Sequence, residues 1–351
     1  MRWRWGRTVE SLLAVGLFVA ILAVFVGPER LLADLRAVDG RVYALAFGLA
    51  LVWLFAWSQT LLRLLEPEAG PLDDAYFYVV FVAGMFARGL VPGGSVSGPG
   101  VMAYVVNAYT EVAPERTLAM TTVSELCYML ASTTAAVVGF SLLAATGSVP
   151  EAALVPLAGA TLVGVVGLAA LGLGALRPDL VRGLLRWPLI RLGRLLGRVW
   201  ARAGEELAPA AVDERIDNAF DAVRALRKTP RAALAALGYA HLGIACSAGT
   251  LYLSTVAMGL DVSPLVALFV VPVGGLARGL SFLPGGLGSV EAGMIGLLTL
   301  VTPLGAGVAG TAVLLHRLTT FWFRLLVGAA CLLYLGVARS PLRAVPDPTA
   351  G

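Results

Sequence analysis

The chain has 351 residues, of which 58% are hydrophobic and 14% charged, with a formal net charge of +4. Its mean hydropathy is +0.85. A soluble enzyme or nucleic-acid-binding domain does not bury that much apolar surface, whereas a polytopic membrane protein exposes it to lipid.

Apolar runs long enough to cross a bilayer recur at 9–27, 42–62, 117–146, 153–175, 232–257 and 307–336. The first follows Arg2, Arg4 and Arg7 and is expected to stay attached as a helix, since Pro28-Glu29-Arg30 beyond it has no small-residue cleavage pattern. Between the second and third runs lies 74–110, and between the last two lies 264–304. Each is an apolar run, a Pro-Gly-Gly break and a second apolar run, with the breaks at Pro92-Gly93-Gly94 and Pro284-Gly285-Gly286. Each break follows an Ala-Arg-Gly-Leu lead-in, Ala87–Leu90 and Ala277–Leu280. Broken backbone at membrane depth needs protein or a watery cavity to supply its hydrogen bonds. Re-entrant hairpins and pairs of short crossing helices both satisfy the chain's parity here.

Lys and Arg accumulate on the cytoplasmic side of membrane proteins. With the N-terminus inside, 1–8, 63–73, 111–116, 176–231 and 337–351 hold 19 of the 26 basic residues, and only Arg30, Arg36 and Arg41 fall outside. The expected orientation has both termini cytoplasmic, in the plasma membrane. Within 176–231, arginines recur every three to five residues from Arg177 to Arg202, between leucines, Trp187 and Trp200. That pattern predicts an amphipathic helix on the anionic cytoplasmic leaflet.

The two halves match. Glu125 stands 33 residues after Pro92 and Arg317 stands 33 after Pro284, in the helices that close each half. Three crossings per half make the second half upside down relative to the first, as in transporters whose site lies at the repeat interface. The expected fold is therefore all-α: six crossing helices plus two broken helical hairpins in an inverted repeat. Residues 1–146 form the first repeat, 147–337 the second with the basic insert 176–231, and 338–351 a cytoplasmic tail.

Four arginines fall at membrane depth: Arg88, Arg278, Arg317 and Arg324. Each costs about 2.5–3.5 kcal/mol at the centre of a membrane helix. Only Glu125 and Glu291 lie at comparable depth, so a surplus of positive charge calls for an anion. Arginine binds phosphate and carboxylate bidentately. The glycines of the second break, Gly285, Gly286 and Gly288, let a head group approach backbone N–H groups at the start of a helix. Arg278, Arg317 and Arg88 are the candidate anion-binding side chains. Glu125 and Glu291 are their charge partners, with a helix cap or proton coupling open for Glu291. Arg324 is expected to snorkel or meet a helix end. Tyr104, Asn107 and Tyr109 either line the first break or sit at the interface. His241 and His316 lack ligand spacing, Cys127, Cys246 and Cys331 stand singly, and neither a metal nor a cofactor is expected.

The stretch SFLPGGLGSVEAG, with the helix around Arg317 that follows, resembles the transmembrane region of lysylphosphatidylglycerol synthases and stand-alone flippase-like proteins built on it. Pro284, Gly285, Gly286, Gly288, Glu291 and Arg317 occupy that pattern's places. The resemblance implies a non-enzymatic transporter moving an anionic or zwitterionic lipid head group, phospholipid or polyprenyl-phosphate-linked, between leaflets. The first break departs from the pattern: Gly94–Gly100 replaces Gly-Glu-x-x-Arg, and Leu126 follows Glu125. A small-anion or ion-coupled solute transporter is the alternative. An integral membrane enzyme acting on a lipid phosphate is the more distant one, because the chain offers no Asp-rich motif and no paired His.

Overall fold

The computed structural model describes residues 36–69, 72–90, 94–110, 112–147, 229–280 and 284–339, with scattered positions between 154 and 169. Among these, every regular element is helical. Helix α1 spans Gly40–Ala69, α2 Asp74–Leu90, α3 Gly94–Tyr109, α4 Pro114–Ala145, α5 Pro230–Ala257 and α6 Pro264–Leu276. Short 3₁₀ turns at Ala277–Leu280 and Pro284–Gly286 lead to α7, Ser289–Val301. Helices α8, Ala306–Arg317, and α9, Phe323–Arg339, run on from each other through one π turn, Leu318–Trp322.

Helix starts are written in the sequence. Asp39 Oδ1 accepts from the Arg41 and Val42 amides, Asp73 Oδ1 from the Tyr76 amide, and Ser263 Oγ from the Leu265 amide. Proline fills the first position of α4, α5 and α6, where its missing N–H leaves no intrahelical bond unmade.

Among the described residues, four stretches are long and apolar enough to cross a membrane: Gly40–Pro67, Arg116–Ala145, Pro230–Ala257 and Ala306–Gly336. They match four of the six predicted crossings. The predicted crossing 9–27 and the arginine run 177–202 lie outside the described residues, and 153–175 is described only in part, around Leu157–Val166. The legs of the second hairpin, α6 and α7, have 13 residues each. At 1.5 Å per residue they reach roughly 20 Å, short of a hydrocarbon core of about 30 Å.

Helices α1 and α5 pack along their length, and the Asp39 amide donates to the Ala257 carbonyl, so α1 starts where α5 ends. The pair is antiparallel. Around it, α2 packs on α9 and α6 packs on α4. Both crossings are close because a glycine faces backbone. A Cβ on Gly328 would lie 2.8 Å from the Val82 carbonyl, and one on Gly139 would lie 3.0 Å from the Phe269 amide nitrogen. The hairpins also close alike. Gly84 in α2 meets the Met102 side chain in α3, and Gly274 in α6 meets Met294 in α7.

Tyr76 hydroxyl donates to the Tyr109 carbonyl, tying the two feet of the first hairpin together. Tyr104 is exposed, and Asn107 donates to the Val112 carbonyl just past the same foot. These three residues belong to the outer face and base of that hairpin, not to its break.

Candidate functional site

The tip of α2 packs against Pro284–Gly286, so the lead-in to the first break meets the second break itself. Arg88, near the end of α2, donates from both Nη atoms to the two carboxylate oxygens of Glu125 on α4, the Nη2–Oε2 contact being 3.2 Å. Its guanidinium occupies the space a side chain at Gly98 would need. That is the reason for a glycine there. Trp57 carries the Arg88 Cζ 5.7 Å from its ring centre on one side and stacks on Tyr128 at 4.5 Å.

On the other side of the contact, Arg317 Nε donates to Glu291 Oε1 at 2.6 Å, with the two side chains 5% and 1% exposed. Its Nη2 donates to the Gly285 carbonyl at 3.0 Å, so one guanidinium holds both the break and the first turn of α7. Gly285, Gly286 and Gly288 have φ of 68°, 72° and 83°, the left-handed region that glycine enters freely. Gly285 lies against the Phe321 ring and Gly286 against the Arg278 backbone. Ser289 Oγ ties the start of α7 to the Ala277 and Gly286 carbonyls.

Arg278 and Arg324 complete the cluster. Arg324 lies within electrostatic reach of Arg278, Arg317 and Arg88, and its Nη2 sits beside Gly89. The Phe321 ring has the Arg317 Cζ 4.6 Å and the Arg324 Cζ 5.5 Å from its centre. Neither Arg278 nor Arg324 has a carboxylate partner among the described residues, and the Nε of each is buried with no acceptor. Among the described residues, four guanidiniums therefore share two carboxylates. Glu291 Oε2 is also buried without a donor.

The chain belongs to the lysylphosphatidylglycerol synthase transmembrane-region family. The family profile matches residues 11–328, nearly the whole chain, and no curated protein matches it. With four helices long and apolar enough to cross, the protein is a multi-pass membrane protein of that family.

All six residues carrying the family pattern come together at the second break, and Arg88 and Glu125 join them from the first half. Three participants were misplaced or missed by the sequence reading. Arg324 is 7% exposed inside the cluster instead of snorkelling to a helix end. A π turn lies between Arg317 and Arg324, and Thr319 and Thr320 both donate to the His316 carbonyl within it. Tyr128 accepts from Trp53 Nε1 at 3.3 Å and lies within electrostatic reach of Arg278 and Arg324. It follows Glu125 by three residues, so the two share a helix face. Trp57, the third, reads in sequence as one more apolar core residue.

The histidines serve as structural hydrogen-bonding residues. His316 Nδ1 meets Thr250 Oγ1 at 2.8 Å; that hydroxyl already donates to the Ser247 carbonyl, so the ring nitrogen carries the proton. His241 bridges Thr134 and the Leu237 carbonyl.

Proposed function

We propose that the protein is a flippase-like transporter that passes an anionic or zwitterionic lipid head group between leaflets, the phosphate held among Arg278, Arg317, Arg88 and the glycines of the second break. The observation that carries this reading is the buried excess of guanidinium over carboxylate where the two hairpins touch. A cation at such depth is tolerable when it faces a partner, and two have no carboxylate partner among the described residues. Family membership supports a lipid as the cargo. Transport without bond-breaking, rather than catalysis, suits a site whose carboxylates are both engaged in ion pairs.

The architecture proposed for this function is the inverted repeat: six crossings, with 74–110 and 264–304 re-entering from opposite sides, and both termini cytoplasmic. Several observations support it. Packing of α2 on α9 is mirrored by packing of α6 on α4. Gly84 stands four residues before Arg88 as Gly274 does before Arg278, and Met102 stands ten after Pro92 as Met294 does after Pro284. Both glycine–methionine pairs are in contact. Antiparallel α1 and α5 fit the same inversion. Rocking of one half against the other would then expose the shared site alternately. The run 177–202 would rest on the anionic inner leaflet.

The test is transbilayer movement of acyl-labelled anionic lipids in proteoliposomes, with the label on the outer leaflet destroyed chemically, with and without proton or sodium gradients. Accelerated movement lost in Arg278→Gln is expected. Rates equal to protein-free vesicles for every anionic lipid would refute the reading, and uptake of soluble anions without lipid movement would replace it with solute transport.

A further inference from the structure

The charge count of the cluster carries more than the need for an anion. Guanidinium groups hold their proton in proteins, so Arg88, Arg278, Arg317 and Arg324 contribute four positive charges. Glu125 is engaged by Arg88 and Glu291 by Arg317. Two positive charges remain, on Arg278 and Arg324, the latter 7% exposed with its Nε buried and without an acceptor.

The repeat explains why the surplus sits there. Arg88 and Arg278 hold the same place in their Ala-Arg-Gly-Leu lead-ins, and the closing-helix residue that neutralises Arg88 is Glu125. The residue at the matching place in the second half is Arg317. That half thus carries a guanidinium where the first has a carboxylate, and Glu291 is consumed by Arg317. Tyr128 adds a donor nearby, since its oxygen accepts from Trp53 while its own proton has no acceptor among the described residues.

We infer that the site takes a phosphoryl group carrying two negative charges, a phosphomonoester or a diphosphate diester, in preference to a phosphodiester or an aminoacylated head group. A phosphomonoester dianion matches the surplus charge and offers three terminal oxygens to Arg278, Arg324 and Tyr128. A phosphodiester has one charge and two such oxygens, leaving one buried guanidinium uncompensated. A lysyl ester brings two ammonium groups and adds to the surplus. The inference deepens the transport reading and rests on it for the fate of the ligand, but the charge match is a statement about binding.

The experiment measures binding of short-chain phosphatidic acid, phosphatidylglycerol and lysyl-phosphatidylglycerol to the full chain in neutral nanodiscs, beside flux of the same head groups in proteoliposomes. Phosphatidic acid is expected to bind at least tenfold more tightly than the other two. Arg324→Gln should shrink that preference to within about threefold, Arg324→Lys should retain part of it, and Arg41→Gln should leave it intact. Glycerol 3-phosphate distinguishes the source: competition at matching concentration assigns the phosphomonoester to the aqueous pool, and failure to compete assigns it to lipid. Equal binding of phosphatidic acid and phosphatidylglycerol overturns the inference, as does an undiminished preference in folded Arg278→Gln and Arg324→Gln. Selective binding without any flux would leave the inference standing and remove the transport reading.

Discussion

Gly285→Ala is the sharpest test of how the second break is built. Gly285 sits at φ 68°, and a Cβ there would lie 1.9 Å from Phe321 Cε2, 2.6 Å from Cζ and 2.8 Å from Cδ2. Left-handed backbone costs an L-residue about 1–2 kcal/mol. Carbon atoms sit comfortably about 3.5–4.0 Å apart, so the ring has to withdraw by more than 1 Å from beneath Arg317 and Arg324. Such overpacking costs about 1–3 kcal/mol more, for a total of about 2–5 kcal/mol. Gly259→Ala is the internal control: its φ is 71°, but nothing lies within 4 Å of its Cβ, so only the backbone cost applies. Unfolding by denaturing detergent in bicelles reads the difference. Gly285→Ala should be less stable than Gly259→Ala by about 1–3 kcal/mol, and Phe321→Leu in the same chain should recover most of that gap. If the two alanine variants agree within about 0.5 kcal/mol, the Phe321 ring does not seal the break and the packing argued here is wrong.

Glu291→Gln should destabilise the protein by about 3–5 kcal/mol in the same assay, because it strands a buried Arg317 guanidinium. Adding Arg317→Met should return most of the loss, and a cost under about 1 kcal/mol for Glu291→Gln alone would mean the pair is not buried as described. Gly139→Ala and Gly328→Ala should each cost about 1–3 kcal/mol, since each Cβ meets the backbone of a facing helix. Gly296→Ala, with open space around its Cβ, should be neutral or stabilising by up to about 1 kcal/mol. Equal effects at all three positions would refute the close crossings.

The breaks and their arginines were legible because charge and Pro-Gly-Gly are rare inside long apolar runs, so each occurrence carries information. The pairing of Arg88 with Glu125 was not. It joins helices 37 residues apart in sequence, and nothing local distinguishes that partner from Arg278 or Arg317 as rivals for the same carboxylate. Arg324 was misplaced for a different reason. A regular helix is the natural reading of Ala306–Arg339, and the π turn that interrupts it is accompanied by threonine hydroxyl bonds that many membrane helices make without bulging. Position also explains the missed repeat signal: Gly84–Met102 and Gly274–Met294 look like ordinary packing residues until both lead-ins and both breaks are aligned. Tyr104, Asn107 and Tyr109 illustrate the limit of composition, since a polar residue near a break and one at a hairpin foot look alike until the hairpin's length is known.

The two breaks depend on each other. The Gly285 carbonyl accepts a hydrogen bond from Arg317, and the Arg278 backbone lies against Gly286. Arg88, from the other hairpin, is held within electrostatic reach of Arg278 and Arg324 by Glu125. Protein groups thus meet part of the polar demand that broken backbone creates in hydrocarbon. They do not meet the charge demand. If structure alone were at stake, leucine at 278 and 324 would fill the same volume without stranding a guanidinium, and replacing buried charge by well-packed apolar groups is commonly neutral or stabilising. Under the proposed function, a cluster that keeps both arginines with only two carboxylates among the described residues gains from them when an anion is present. That differential is what a transport site requires, because a ligand shifts a conformational equilibrium only by the difference in its affinity for the two states.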